Sequence, residues 1–383
     1  MHVRSLSVRV LLSASVIALV SACSLFSTPK RAPVDLPPFT ATLKPRVIWS
    51  ETIGSSGNAA LTPAIFENDI YAAAGDGRVV RLDARGKTLW RKEAGFPVSA
   101  GVAAGEGVAV VGGANGEVAA LDLETGAIRW KATVPGELLG HIVIGRGLVI
   151  LRSSDARLFA LDITSGANRW TVQRPLPPLV LRADGCMVMR DDLVVASFPG
   201  GRLLGVNAAT GVVRYDATVA TPKGTTELER IVDVVGTPVF EGDTVCVASY
   251  QGRIGCMNAA NGQPVWGRDF SAPVGAAADG RFVFGVDEAS VVQAFTANTG
   301  TLTWTNDRFK YRSISTPLSW QRAIVVGDYQ GYLHFLGRED GVEIGRLSTN
   351  GPIRVPLQLA DAIAPGSLLA QTTAGGIYLI GAE

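Results

Sequence analysis

The sequence predicts an all-β fold, an eight-bladed β-propeller, and three observations support this prediction. A strand–turn–strand unit recurs at a period of about 40 residues, as in 119–130 and again in 159–170, where an Asp-x-x-Thr-Gly or similar turn precedes a tryptophan. Glycine is abundant, with 44 residues, and apolar residues alternate with polar ones in short runs. No amphipathic helical pattern of useful length follows the N-terminal segment. A fixed period with this unit is typical of a propeller, in which each repeat forms one blade.

Eight positions correspond to the tryptophan of the repeat, and they predict eight blades. Tyr215 and Gly345 replace the tryptophan in two repeats, but the turn before each of them persists. Because this position occurs once per repeat, we interpret its aromatic side chains as packing residues between neighbouring blades rather than as a ligand site. The eight positions are Trp49, Trp90, Trp130, Trp170, Tyr215, Trp266, Trp304 and Gly345.

Turn signals within the repeats predict four antiparallel strands per blade. Dipeptides such as Asp76-Gly77 and Asn115-Gly116 suit the tight turn of a hairpin. At the chain ends the repeat is split, because Trp49 has no turn before it and the strand at 376–380 has no tryptophan strand after it. We therefore expect the N-terminal strand to complete the last blade, which closes the ring and removes two exposed sheet edges.

Residues 1–22 have the features of a secretory signal peptide. Two arginines precede an apolar run over 10–20 that is too short to cross a bilayer as a helix. The segment ends in Val-Ser-Ala followed by Cys23, which resembles the lipobox of bacterial lipoproteins and implies that Cys23 becomes the lipidated N-terminus. An ordinary cleavage site followed by an incidental cysteine is the alternative.

The chain after the cysteine indicates a tether and a location. Residues 23–44 contain several prolines and no periodic pattern, so we expect a lipidated, extended tether that is followed by the propeller over 45–383. Ser24 stands where many lipoproteins of the inner membrane have an aspartate. The lipobox resemblance therefore implies a lipid-anchored protein at the periplasmic face of the outer membrane.

Composition and motifs indicate neither an enzyme nor a nucleic-acid-binding protein. The formal net charge of +1 gives no electrostatic argument for nucleic acid. His141 and His334 lie alone in predicted strands without metal-ligand spacing, so we interpret them as structural histidines. The sequence contains no nucleophile elbow, phosphate-binding loop or dinucleotide fingerprint in a suitable context. We therefore expect no catalytic residue, no metal site and no cofactor.

Two neighbouring repeats are longer than the others. Consecutive tryptophan positions are 45 residues apart from Trp170 to Tyr215 and 51 apart from Tyr215 to Trp266, against 38 to 41 elsewhere. Both insertions fall after a tryptophan strand and before the next blade, and equivalent connections of a propeller emerge on one face. Two enlarged neighbouring connections on one face predict a binding surface.

The tryptophan repeat resembles that of the pyrroloquinoline-quinone (PQQ)-dependent dehydrogenases, whose propellers also have eight blades. As a family, those enzymes carry an adjacent cysteine pair and calcium ligands. Cys186, Cys246 and Cys256 include no adjacent pair, and the chain is shorter than those enzymes. A periplasmic quinoprotein-like dehydrogenase, or a propeller that binds a sugar or another ligand, is therefore the alternative function.

The combination of lipobox, proline-containing tether and eight repeats resembles the BamB family, lipoproteins of the outer-membrane β-barrel assembly machinery (the BAM complex), over essentially the whole chain. In that family a Leu-x-Leu-Arg loop and an aspartate-bearing loop contact the periplasmic POTRA domains of BamA. The matching residues are Leu179, Leu181, Arg182 and Asp233, while Val235 stands where the family has a second aspartate. The resemblance implies a non-enzymatic scaffold that assists barrel insertion, and strand addition to unfolded barrel substrates is chemically reasonable for it.

The residues around this loop predict how the partner site is displayed. Three prolines at 175–178 favour an extended, outward segment, so we expect Leu179, Leu181 and Arg182 to be exposed on one loop with Asp233 nearby. Two alternatives remain at this point. The leucines can pack the loop onto the propeller, and Arg182 and Asp233 can form an exposed ion pair of little energetic value.

Two cysteines flank a predicted hairpin turn almost symmetrically. Cys246 and Cys256 lie on either side of Gln251-Gly252, so they can pair across two strands in an oxidising periplasm. Two buried thiols in offset positions are the alternative, because a shift of one residue in register would separate them.

Overall fold

The structure is a computed structural model that describes residues 31–182 and 187–383. Within these ranges the chain forms 32 strands, arranged as eight four-stranded antiparallel sheets. No helix in the described ranges is long and apolar enough to cross a membrane. The prediction of an eight-bladed β-propeller is confirmed. The signal peptide, Cys23 and the first part of the tether lie outside the described residues.

Strands are numbered in chain order, and each of the first four blades takes four consecutive strands. Blade 1 contains β2 (Ala64–Phe66), β3 (Asp69–Ala73), β4 (Arg78–Leu82) and β5 (Thr88–Glu93); blade 2 contains β6 (Val98–Gly105), β7 (Val108–Gly113), β8 (Glu117–Asp122) and β9 (Ile128–Thr133); blade 3 contains β10 (Val143–Gly145), β11 (Leu148–Ser153), β12 (Arg157–Asp162) and β13 (Asn168–Gln173); blade 4 contains β14 (Met187–Arg190), β15 (Leu193–Phe198), β16 (Arg202–Asn207) and β17 (Val213–Thr218).

The next three blades repeat this order. Blade 5 contains β18 (Asp233–Glu241), β19 (Thr244–Tyr250), β20 (Gly252–Asn258) and β21 (Pro264–Phe270); blade 6 contains β22 (Ala277–Ala278), β23 (Phe282–Val286), β24 (Val292–Thr296) and β25 (Leu302–Asn306); blade 7 contains β26 (Leu318–Trp320), β27 (Ala323–Gly327), β28 (Tyr332–Gly337) and β29 (Glu343–Ser348). The hydrophobic clusters combine residues of adjacent blades, so the core lies between the blades.

The two ends of the chain together form blade 8. It contains β30 (Gln358–Leu359), β31 (Leu368–Gln371), β32 (Gly376–Ala382) and, as its outer strand, β1 (Pro45–Thr52). β1 pairs antiparallel with β32, from Pro45 opposite Ala382 to Thr52 opposite Gly376. The expected ring closure by the N-terminal strand is confirmed.

The tryptophans of the repeat dock each blade on the next one. Trp130 of blade 2 donates from Nε1 to the carbonyl oxygen of Ile163 in blade 3 at 2.7 Å. Its ring lies over Gly166, where an added Cβ would be 2.6 Å from Cε3. The five other tryptophans that make the same donation to the following blade are Trp49, Trp90, Trp170, Trp266 and Trp304. Their interpretation as packing residues between blades is confirmed.

The outer strand of every blade contains a β-bulge immediately before the tryptophan position. In blade 2, Ala120 pairs with Trp130 and Leu121 with Ile128, so Arg129 is the extra residue. A bulge increases the local twist and interrupts the edge, which shortens the regular stretch that another chain could pair with. The extra residues of the other blades are Ile48, Leu89, Arg169, Arg214, Val265, Thr303 and Ile344.

The bulged arginine of blade 2 holds the aspartate that begins the repeat's turn. Arg129 donates from Nε and Nη2 to Oδ2 of Asp122, at 3.0 and 2.6 Å. The Arg129 guanidinium is the largest cause that lowers the pKa of Asp122 to about 2, and the backbone N–H and hydroxyl of Thr125 act in the same direction. The ionised carboxylate is therefore the form that suits the folded turn.

Because the pKa of Asp122 is lowered in the folded chain, acid should reduce the stability that this contact contributes. The contribution of Asp122 to stability is complete above its ordinary pKa of 3.8 and disappears as the pH falls towards about 2. The urea midpoint of Asp122→Asn should therefore lie below that of the wild type at pH 7 and converge with it near pH 2. Asn207 and Asn258 hold the equivalent turn position in other blades, so the variant should fold. A constant difference in midpoint across this pH range would contradict the prediction.

The described part of the expected tether, residues 31–44, lies against the propeller. The backbone N–H of Val34 donates to Lys310 at 3.1 Å, and those of Thr42 and Leu43 both donate to Ile344 at 3.0 Å. Leu43 is 4% exposed and belongs to a core cluster of blades 7 and 8. Proline content predicts an extended backbone, but it does not reveal that carbonyl and apolar groups of this segment have partners on the propeller.

Candidate functional site

Both enlarged connections leave the outer strand of one blade and enter the inner strand of the next. The first connection leaves β13 after Gln173, is described over 174–182 and leads to β14 at Met187; residues 219–232 join β17 to β18. Since the strands of a blade are antiparallel, the hairpin turn between its second and third strands lies on the same face as these connections. The turn at Gly200-Gly201 of blade 4 therefore belongs to this face. The expected position of the two insertions is confirmed.

Asp233, the first residue of β18, lies beneath the first connection rather than on its surface. The residue is 2% exposed. Its Oδ2 accepts a hydrogen bond from the backbone N–H of Leu181 at 2.6 Å, and its Oδ1 accepts one from the N–H of Gly200 at 2.9 Å. The expected proximity of Asp233 to the loop is confirmed, and both carboxylate oxygens are bound to backbone donors. Asp233 therefore clamps the connection of blade 4 to a hairpin turn.

The two leucines of the loop have different environments. Leu179 is 46% exposed, as expected. Leu181 is half-buried and packs against a core cluster that contains Val235, Cys246 and Phe270, so its expected exposure is wrong. The reason is the Asp233 clamp, which draws the backbone of Leu181 inward. For Leu181, packing onto the propeller was the correct alternative.

Arg182 is exposed, but its partner is not Asp233. Its guanidinium forms an ion pair with the carboxylate of Glu137, with Nε 3.3 Å from Oε2 and a closer contact between Nη2 and Oε1. Glu137 belongs to the connection between β9 and β10, so the Arg182 side chain reaches the loop of another blade. The alternative of an Arg182–Asp233 ion pair is wrong. Sequence reasoning missed Glu137, because it lies 45 residues before Arg182 and outside both insertions.

A cavity of about 210 Å³ opens at the centre of this face. Arg182 and Val235 line it together with His141 and Arg354, which come from the connections that lead into blades 3 and 8. Burial lowers the pKa of His141, so its ring is neutral at pH 7. The Nδ1 of His141 lies 3.4 Å from the hydroxyl oxygen of Thr237, which supports its interpretation as a structural histidine.

His334 lies in a separate, fully buried polar cluster of blade 7. Its Nδ1 is 2.9 Å from Oε1 of Glu343, and its Nε2 is 3.2 Å from Oδ2 of Asp328. Asp328 is also bound by Arg312, at 2.6 Å from Nη2. His334 is therefore a structural histidine with both ring nitrogens engaged, as expected. Among the described residues, no group of three or more His, Cys, Asp or Glu side chains has a metal-binding arrangement.

A disulfide joins Cys246 and Cys256 beneath the candidate site. The two residues are opposite each other in β19 and β20, with 4.0 Å between their Cα atoms. Both belong to the cluster on which Leu181 packs. The alternative of two offset thiols is wrong, because the turn at Gln251 places the two cysteines in direct register.

Removal of this disulfide should lower the free energy of unfolding by about 2–3 kcal/mol, as expected for closure of a short loop. The measurement is urea unfolding of the wild type with and without reductant, compared with Cys246→Ala/Cys256→Ala, which should respond little to reductant. Alkylation without reductant followed by mass spectrometry should leave both cysteines unlabelled. Labelling of both would contradict the prediction.

The architecture defines a class, the eight-bladed propellers whose blades dock through a tryptophan at a recurring position, which six of the eight blades carry here. Enzymes share this fold: the crystal structure of quinohemoprotein alcohol dehydrogenase from Comamonas testosteroni superposes with a TM-score of 0.63, over 88% of this chain and 76% of that chain, at 12% sequence identity. A likeness at this identity shows the fold and carries no argument for the enzyme's chemistry.

The family follows from closer comparisons. A family model described as outer membrane protein assembly factor BamB matches residues 75–306. The outer membrane protein assembly factor BamB of Bordetella pertussis is 37% identical over 369 residues, which cover 95% of this chain and 94% of that protein. The crystal structure of BamB from Moraxella catarrhalis superposes with a TM-score of 0.81 at 26% identity, over 88% of this chain and 99% of that chain. The chain belongs to the BamB family.

Membership confirms the resemblance to the BamB family that the sequence as a whole indicated. The relative and the family are both named as assembly factors of outer membrane proteins, not as enzymes. This agrees with the expectation of a non-enzymatic protein.

Proposed function

We propose that the chain is a non-enzymatic scaffold lipoprotein of the outer-membrane β-barrel assembly complex. It binds the POTRA domains of BamA through the face of the enlarged connections and assists insertion of barrel proteins. The observation that supports this most directly is the loop at 179–182, which presents an exposed leucine and an exposed arginine from a connection that is clamped from below.

The loop has the chemical composition of a partner interface. Leu179 offers apolar surface that gains free energy when water is removed, and Arg182 with Glu137 supplies charges that fix orientation. Asp233 and Glu137 hold the segment from two sides, so little conformational freedom remains to be lost on binding. In this proposal Leu179 and Arg182 touch the partner, whereas Leu181 and Asp233 act mainly by positioning the loop.

Co-purification tests the proposed partner. The tagged full-length chain, expressed in its lipidated form and extracted with detergent from outer membranes, should retain BamA. A matched propeller of the dehydrogenase class, carried through the same extraction, is the control. Recovery of the chain without BamA under conditions that preserve the rest of the complex would contradict the proposal.

The proposed anchor is the lipidated Cys23, which lies outside the described residues, after removal of the signal peptide at 1–22. Its acyl chains would hold the chain at the periplasmic face of the outer membrane. Cys23→Ser should abolish the lipid mass on the N-terminal peptide and should shift the chain out of the outer-membrane fraction. An unchanged N-terminal mass and unchanged fractionation would refute the anchor.

Unfolded barrel substrates form a second proposed class of partner. Addition of a substrate strand needs a regular, free edge, and the outer strands of the blades are the candidates. A bulge before each tryptophan position limits that edge to the residues that follow it, as in blade 2 after Arg129. Any strand addition should therefore occur at the half of the outer strand nearest the candidate face.

A further inference from the structure

The N-terminal segment over 31–43, here called the strap, occupies a built site on the propeller. Three of its thirteen residues are prolines, which lack a backbone N–H, and its carbonyl oxygens are hydrogen-bond acceptors. Four arginines donate to four of these carbonyl groups. The pairs are Arg312 with Val34 (2.9 Å), Arg346 with Pro37 (3.2 Å), Arg308 with Pro38 (3.0 Å) and Arg322 with Thr42 (3.1 Å).

Two of these arginines are themselves held by buried carboxylates. Arg312 is 2% exposed and donates to Asp328 from Nε at 2.9 Å and from Nη2 at 2.6 Å. Arg346 donates to both oxygens of Glu343, at 2.9 and 2.7 Å. Each guanidinium is therefore fixed on its inner side and turns a remaining N–H towards the strap. Arginines arranged in this way bind a defined carbonyl pattern, whereas mobile surface arginines would not.

Apolar and aromatic contacts complete the site. Leu36 packs against the cluster between blades 6 and 7, which contains Phe309 and Trp304. Phe39 lies under the Arg346 guanidinium, with 4.8 Å from Cζ to the ring centroid. Alternating carbonyl and side-chain recognition of an extended, proline-containing segment is an established binding mode for peptides.

The strap covers the blade junction at which the tryptophan dock is missing. Blade 7 has Gly345 at the tryptophan position, and the outer two strands of blade 8 are the chain ends, so no turn glycine faces it. The carbonyl oxygen of Leu43 and Cδ of Pro45 lie 3.1 and 3.2 Å from where a Cβ on Gly345 would be. Leu43 of the strap and Pro45 at the start of β1 thus occupy the space that a tryptophan or, for Tyr215, a tyrosine fills at the other junctions.

We propose that the strap holds blades 7 and 8 together, a role here called the lock. We also propose that it fixes where the membrane anchor leaves the propeller. Arg31, at its start, lies over the ring of Tyr311 at 5.5 Å. Tyr311 belongs to the connection between β25 and β26, on the same face as the candidate partner site. The first half of this inference is independent of the proposed function; the second half rests on lipidation of Cys23.

The geometry sets a limit on the distance between that face and a lipid surface. Eight Cα–Cα steps separate Cys23 from Arg31, so they span at most about 29 Å. A free tether beginning at Pro45 would allow about 79 Å over its 22 steps. The strap therefore keeps the candidate partner face close to the bilayer, and a partner domain bound there lies close to the bilayer as well.

Hydrogen exchange on the full-length chain tests the lock. The amides of Val34, Thr42 and Leu43 should exchange about 100-fold or more slowly than in an unstructured peptide. Leu36→Asp/Phe39→Ala should release the strap and accelerate exchange in β1 and β29, but not in blade 3. Leu228→Asp, at a leucine that is 68% exposed on a distant connection, is the matched control and should change neither region.

Two results of this experiment would overturn the lock. One is exchange of the wild-type strap at the rate of a free peptide, and the other is release of the strap with unchanged exchange in β1 and β29. Neither measurement requires lipid or BamA, so a protected strap in a chain that fails to bind BamA would separate this inference from the proposed function.

Energy transfer to a lipid acceptor tests the exit point. The lipidated chain is placed in vesicles of phosphatidylethanolamine and phosphatidylglycerol that contain a rhodamine-labelled lipid, and a donor amino acid replaces Ser313 or Thr299. Ser313 is exposed on the same face as the candidate partner site. Thr299 lies in the turn between β24 and β25, on the opposite face. Transfer should be stronger from position 313. Equal transfer, or stronger transfer from 299, would overturn the fixed exit.

Discussion

Alanine at both Leu179 and Arg182 should remove BamA from the material that co-purifies with the chain and should leave the propeller folded. Both side chains are exposed, and neither belongs to a blade core. Truncation of an interface anchor often costs about 2 kcal/mol or more, which corresponds to binding at least about 30-fold weaker. The thermal midpoint should shift by no more than about 2 °C, as for other surface substitutions in a chain of this size.

The matched control for this variant replaces an equivalent pair elsewhere on the propeller. Leu302 is 52% exposed, and Arg281 has a 61% exposed side chain in an ion pair with Glu339, so Leu302→Ala/Arg281→Ala removes the same chemistry. The control should bind BamA as the wild type does. Wild-type binding by the Leu179/Arg182 variant would move the partner site away from this loop, and equal weakening of both variants would show that the effect is not specific to it.

Leu181 is kept out of this variant because of its position. It packs on the cluster that contains the Cys246–Cys256 disulfide, and its backbone is held by Asp233. Its truncation would remove core contacts together with any partner contact, so a loss of binding could not be separated from local unfolding. Within this loop, Leu179 and Arg182 are therefore exposed at the surface, whereas Leu181 packs on the propeller and supports the loop.

The repeat could be predicted from the sequence because the residues that determine a blade are close together in the chain. A turn, a strand and a tryptophan at fixed spacing determine the blade, and Trp130 docks on Gly166 as the period predicts. The orientation of the Asp233 side chain could not be predicted in this way. It depends on the backbone N–H groups of Leu181 and Gly200, which lie 52 and 33 residues away in the sequence. The local sequence pattern therefore predicts the blades, whereas the candidate partner site depends on contacts between residues of different blades.

The strap escaped sequence analysis for a related reason. Its prolines give no periodic signal, and its partners are arginines that lie about 270 to 310 residues later in the chain, such as Arg308 and Arg346. Gly345 was visible as a missing tryptophan, but the sequence does not show what fills its place. The partner of Arg182 was missed in the same way, since Glu137 has no motif of its own.

Replacement of Trp130 by alanine should lower the free energy of unfolding by about 3–5 kcal/mol, the range for a large buried aromatic side chain. Trp130 is 8% exposed, and its loss removes packing between blades 2 and 3 and leaves the carbonyl oxygen of Ile163 without its donor. Ile128→Ala, in the same strand at a residue that is 44% exposed, is the control and should cost about 0.5 kcal/mol or less. Urea unfolding measures both.

A double-mutant cycle with Gly166 tests whether the docking contact itself carries this energy. Gly166 has φ of +71°, and an added Cβ would meet the Trp130 ring at 2.6 Å, so Gly166→Ala should be destabilising by backbone strain and by a clash. Trp130→Ala removes the clash but not the strain. The double variant should therefore be more stable than the sum of the single effects predicts, with a coupling of about 0.5–3 kcal/mol. Strict additivity would show that the indole does not pack on Gly166, and the account of blade docking at this junction would be wrong.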